Sequence, residues 1–245
     1  MDNTENNKPI SLKTSLIYFG IPAIALYLLT KYGIPHTNKF PGFSPIFSWF
    51  LNGGTVFIGL FTAAIVFSYK ETPDRSVKSL LARLRLKSLN KKDLTNTILM
   101  IILIGIVSGI MIGSWFLLKS KFSFISELDM DPPFISMSDL DNYDKLFLLA
   151  WIPFFFFNIV GEEIFWRGYI LPGQELKFGK NAWLINGSLW TVFHLAFGLH
   201  LIIIMLPILF ILPYIVQKRG NTWIGIIIHG LINGGVFLSK SFGLL

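Results

Sequence analysis

The chain has no cysteine among its 245 residues, which excludes a disulfide framework, a thiolate metal site and a cysteine nucleophile. Charge is scarce as well: charged residues make up 14% of the chain, against about 25% in ordinary soluble domains. No internal repeat, low-complexity tract or pair of matching broken segments is visible, which argues against a repeat-built transporter. The stretch Met1 to Lys13 is polar with both charge signs, and it lacks the basic-then-apolar pattern and small-residue cleavage site of a signal peptide. The first apolar block is therefore read as a retained span.

What the chain does have is apolar sequence in long blocks. Hydrophobic residues make up 53% and mean hydropathy is +0.60. A bilayer-crossing helix takes roughly 20 predominantly apolar residues. Seven blocks are of that order, at about 15–29 (reaching towards Gly33), 46–68, 94–118, 146–171, 182–198, 199–216 and 223–238. Pro172-Gly173 are expected to end the fourth. The fifth and sixth are parted by almost no polar turn at His200, so a broken or re-entrant helix stays open there. The expected fold is an all-α polytopic membrane protein with about seven transmembrane helices (six to eight) and a basic amphipathic interfacial helix.

That last element comes from the linker holding Lys70, Arg75, Lys78, Arg83, Arg85, Lys87, Lys91 and Lys92, where Val77, Leu80, Leu81 and Leu84 recur at helical spacing. Much of the net charge of +7 sits in this linker. That fits a cytoplasmic loop beside anionic lipid rather than a nucleic-acid surface. The loop after the third block is acidic, with Glu127, Asp129, Asp131, Asp139, Asp141 and Asp144. By the positive-inside rule the linker, Lys177, Lys180, Lys218 and Arg219 lie in the cytoplasm and the acidic loop outside. Three regions follow: 1–93 with two spans and the linker, 94–143 with the third span and acidic loop, and a core at 144–240.

Ionisable residues deep in a membrane helix are costly and mark function. Phe154 to Val160 runs directly into Gly161-Glu162-Glu163-Ile164-Phe165-Trp166-Arg167. Adjacent glutamates project about 100° apart on a helix, so their surroundings can differ. The i, i+4 spacing lets Glu163 pair with Arg167 and leaves Glu162 freer to act on water. On this segment alone, a pair that merely neutralises Arg167 is nearly as good a reading. His194 and His229 lie in two further apolar blocks, and Asn233 is one turn beyond His229, so both point the same way as candidate oxyanion donors. Counted at 1.5 Å per residue from their expected ends, Glu162, His194 and His229 fall in one broad layer. The clustered glycines of these blocks read as close-packing positions.

Glu162-Glu163-x-x-x-Arg167, Trp190-x-x-x-His194 and His229-x-x-x-Asn233, in that order on separate spans, resemble the three signature motifs of the CAAX protease and bacteriocin-processing family, also called Abi. That family includes the type II CAAX prenyl endopeptidases, and the resemblance covers about residues 146–238. It implies an intramembrane endopeptidase with Glu162 as general base, His194 assisting, Glu163 and Arg167 as an orienting pair, and His229 with Asn233 as oxyanion donors. The second motif usually begins with Phe; Trp190 stands there as an aromatic packing group. The implied substrate is a membrane-associated or lipidated peptide, met in CAAX-type processing, bacteriocin maturation or self-immunity, or signal-peptide processing. No cofactor is expected. A zinc enzyme using Glu and His ligands stays open, although H-E-x-x-H is absent, as do a proton-relay transporter and a membrane scaffold. Membrane lipids are expected neighbours and nucleic acid is not; the oligomeric state is not legible. The chain is placed in a bacterial cell membrane, its site reached from the cytoplasmic side.

Overall fold

Backbone groups left unpaired in hydrocarbon cost several kcal/mol each, so a chain this apolar has to close its hydrogen bonds within helices. A computed structural model describes residues 8–72, 74–135 and 148–242; Asp139, Asp141, Asp144 and the first residues of the fourth block lie outside them. Among the described residues there are helices and no strand. We label them α1 (Leu12–Thr37), α2 (Pro45–Glu71), α3 (Val77–Arg83), α4 (Lys91–Lys121), α5 (148–178), α6 (Ala182–Phe193), α7 (Leu199–Arg219) and α8 (Thr222–Ser241).

The starts are chemically marked. Side chains of Ser11, Ser44, Ser76, Asn90 and Asn221 accept backbone N–H groups of the turn that follows, and Asn90 with Asp93 forms a reciprocal capping box. Two of the stops, Gly198 (φ +89°) and Gly220 (φ +59°), need a positive φ that glycine adopts at little cost. Six stretches are long and apolar enough to cross a membrane. One of these, Leu149–Phe197, is 49 residues long and doubles back at Gly179 into two limbs, α5 and α6. The chain thus makes seven passes, and it is an integral membrane protein. The fold-back is held by Asn186, whose amide donates to the Trp166 carbonyl (3.1 Å) and to Gln174 Oε1 (2.9 Å). Ile21, Ile24, Ile102, Ile106 and Ile110 face outward as an apolar belt.

The two ends of the bundle differ in charge and in construction. At the acidic end, His200 accepts the Asp129 backbone N–H (3.1 Å) and Lys240 donates to the Met130 carbonyl (2.6 Å). Lys119 pairs with Glu127 at the same end. At the basic end the linker folds inward. Arg83 is buried, donating to Glu71 Oε2 (2.9 Å) and to the Gly168 and Tyr169 carbonyls (both 3.3 Å). Arg85 forms a two-pronged pair with Glu175 (2.7 and 2.6 Å). Thr222 donates through Oγ1 to the Leu84 carbonyl (2.7 Å) and through its backbone N–H to the Arg85 carbonyl (2.9 Å).

Two expectations change. The fourth helix does not stop at Pro172. A stretch of wider, π-type turns at Ile164–Ile170 gives way there to a new α-helical segment, and Pro172 falls in its first turn, where a missing N–H costs nothing. The helix runs on to Phe178, so a depth counted from Pro172 starts from the wrong end. The interfacial helix is present but short, and two of the linker's arginines bind the protein instead of lipid headgroups. The boundary at His200 resolves into a tight turn, His194–Phe197, closed by Gly198.

Candidate active site

On α5 the turns widen to π geometry at Phe156–Gly161 and Ile164–Ile170, on either side of Glu162 and Glu163. Such widened turns are frequent at functional sites, where they re-aim side chains and free carbonyls. The Trp166, Gly168 and Tyr169 carbonyls are used in that way, by Asn186 and Arg83. Two glycines let neighbouring helices touch α5 at the pair. A Cβ on Gly161 would sit 2.8 Å from the Phe57 carbonyl of α2, and one on Gly225 of α8 would sit 2.4 Å from Glu163 Oε2.

All six residues singled out in the sequence converge. Glu162, Glu163, Arg167, His194 and His229 are each at most 3% exposed. Glu163 Oε1 lies 3.2 Å from Arg167 NH1 and accepts the His229 Nδ1 proton at 2.9 Å. The other ring nitrogen of His229, Nε2, lies 3.0 Å from Asn233 Nδ2. The result is a line of charge and hydrogen bonds, Arg167 to Glu163 to His229 to Asn233. An asparagine amide has two N–H groups, so one directed at His229 leaves Asn233 a second to offer. His194 Nδ1 donates to the Trp190 carbonyl at 2.9 Å, which leaves Nε2 as the ring nitrogen without a hydrogen-bond partner among the described residues.

Two contacts are not legible in the sequence. The Trp190 indole N–H donates to Glu162 Oε2 at 2.7 Å, with Trp166 Nε1 3.4 Å from the same oxygen. The available signal is Trp190 itself, an N–H donor where the resembled motif has a hydrocarbon ring. The second is Asn158, one turn before Glu162, which joins it in the wall of a cavity.

That cavity measures about 650 Å³ and is mostly apolar, with Glu162, His194, Asn233 and Asn158 among its polar lining. On α5 its lining residues all lie at or before Glu162, on α7 they run from Leu201 to Ile208, and on α8 they all lie at or beyond Leu231. Met130, Pro132 and Lys240 form its outer part. The cavity therefore extends from Glu162 towards the acidic end. At the basic end the buried Leu84 arm lies over Gly168, where a Cβ would meet the Leu84 carbonyl at 2.9 Å.

A zinc site of the usual kind asks for three protein ligands. Among the described residues no group of three His, Asp or Glu side chains is arranged to hold a metal ion, and Glu163 and His229 are engaged with each other.

Seven helical passes around a buried carboxylate pair, two histidines and an asparagine define an integral membrane protein with a polar centre suited to acid–base chemistry. Residues 144–235, which hold all six site residues, match the family described as type II CAAX prenyl endopeptidase Rce1-like. The similarity to that family is confined to this segment; α1 to α4 lie outside the match. No curated protein and no solved structure matches the chain.

Proposed function

We propose that this protein is an intramembrane endopeptidase that hydrolyses a peptide bond with a water activated by Glu162. The observation that carries the proposal is the meeting of Glu162 from α5, His194 from the turn after α6 and Asn233 from α8 in the wall of one cavity. Glu162 takes a proton from the water as its oxygen attacks the peptide carbonyl carbon, with Nε2 of His194 positioned to assist by a hydrogen bond. The carbonyl oxygen gains negative charge and is met by the free N–H of Asn233, a donor already in place. As the C–N bond breaks, the departing amine takes the proton back. Arg167, Glu163 and His229 stand behind Asn233 and hold its amide in orientation.

The apolar lining supports a substrate that enters with apolar surface, a membrane-associated or lipidated peptide. CAAX-type processing, bacteriocin maturation or self-immunity, and signal-peptide processing all supply such peptides. The test is a comparison of the peptides in cells carrying wild type or Glu162→Gln. One cleavage lost only in the variant supports the proposal and names the substrate. Identical peptide profiles, with both proteins equally abundant in the membrane, refute it. A scaffold would instead keep full biological function in that variant.

A further inference from the structure

We infer that Trp190 is a positioning residue for Glu162: its indole N–H ties down one carboxylate oxygen and so reserves the other for the water. The inference rests on the reading of Glu162 as the base. Sequence alone assigns Trp190 no more than packing, and full burial would satisfy that reading. The contacts go further.

Trp190 Nε1 lies 2.7 Å from Glu162 Oε2, the length of a charge-assisted bond, and Trp166 Nε1 approaches the same oxygen at 3.4 Å. Both indoles converge on Oε2 and neither bonds Oε1. The rest of the Trp190 side chain is engaged as well. The Arg167 guanidinium carbon sits 3.5 Å over its ring. Arg167 donates no hydrogen bond among the described residues, so the ring face and Glu163 are its compensation. The rings of His194 and His229 meet Trp190 edge-on at 5.0 and 5.3 Å, and His194 Nδ1 bonds its carbonyl. One residue therefore touches Glu162, Arg167, His194 and His229. A phenylalanine would keep the ring face and most of the volume, but it has no N–H. Trp166, at its longer distance and stacked on Phe19 at 4.1 Å, would not replace the lost bond.

The experiment uses the full chain in lipid vesicles. The infrared carboxyl band that disappears in Glu162→Gln is assigned to Glu162 and read without substrate. Two replacements remove the N–H: Trp190→Phe, and 3-benzothienylalanine at position 190, which has the shape of tryptophan with sulfur in place of N–H. The expected result is a displaced Glu162 band in both. For the cleavage that Glu162→Gln abolishes, kcat is expected to fall about tenfold with KM within about twofold, as befits a group that acts on the chemical step. A band and a kcat at wild-type values in both replacements overturn the inference and return Trp190 to packing. If Trp190→Phe does not fold, the isosteric replacement alone decides the question. Should cleavage survive Glu162→Gln while the band still moves in the Trp190 variants, the reading of Glu162 as base fails and the positioning contact stands.

Discussion

Replacing Gly225 by alanine is expected to silence the site while leaving the bundle folded. The added Cβ would lie 2.4 Å from Glu163 Oε2, about 1 Å inside ordinary contact, and 3.1 Å from Val216 Cγ2. The atom that has to yield is the end of a side chain, not backbone, so the overpacking cost stays near the low end of about 1–3 kcal/mol. Alanine's better helix propensity returns up to about 1 kcal/mol of that. The functional cost is of a different order. The carboxylate that turns away carries Arg167 on one side and His229 on the other, and His229 in turn holds Asn233. A displacement of about 1 Å at a reacting group can cost about 10²-fold in rate. The assay pairs the rate of the Glu162-dependent cleavage with a thermal melt of the detergent-solubilised protein. Gly109→Ala serves as control, since a Cβ there meets nothing within 4 Å. Gly225→Ala activity within about threefold of wild type would refute the idea that Glu163 sets the geometry of the site, because a change of about 1 Å there should be felt.

Asn233→Ala removes the proposed oxyanion donor, and kcat is expected to fall about 10²- to 10³-fold with the melting temperature little changed; steady-state kinetics on the cleaved peptide check it. Thr222→Val deletes the hydroxyl that caps the buried Leu84 carbonyl at 2.7 Å. It is expected to cost about 1–3 kcal/mol of stability, read from denaturant melts in micelles. Glu162-dependent cleavage is expected to persist after treatment with a strong chelator and dialysis; complete loss, restored by added zinc, would establish the metal reading instead. Gly187→Ala should behave unlike Gly225→Ala, since its Cβ would lie 2.7 Å from the Leu209 carbonyl, a backbone atom that cannot swing aside. Lower yield of folded protein on size-exclusion chromatography is the expected result.

The span pattern is legible in the sequence because the apolar blocks are long and their flanks carry capping residues. Ser44, Asn90 and Asn221 start helices within a few residues of where hydropathy alone places them. Glu162, Glu163 and Arg167 are legible as a group because charge in an apolar run is rare. Pro172 misleads because a proline is a helix stop only when its N–H is needed, and the wide turns before it remove that need. A layer of polar residues counted from helix lengths carries no information about tilt. The inward course of Arg83 and Arg85 is hidden, since a basic amphipathic pattern serves a lipid surface or a protein surface equally well. The cavity's direction is hidden for a related reason: sequence marks the polar residues of a wall but not which end of it is closed.

That closed end has a consequence for traffic. Each hydrolysis consumes a water and leaves a new carboxylate and a new amine, both hydrophilic. On the proposed reading, with the Leu84 arm stapled by Arg83, Arg85 and Thr222 across one end of the bundle, these species would leave along the cavity towards Met130 and Lys240 at the other. The enzyme would then sense the acidity and salt of the compartment on that face, and a change in the compartment behind the staple would reach it only through the substrate supplied.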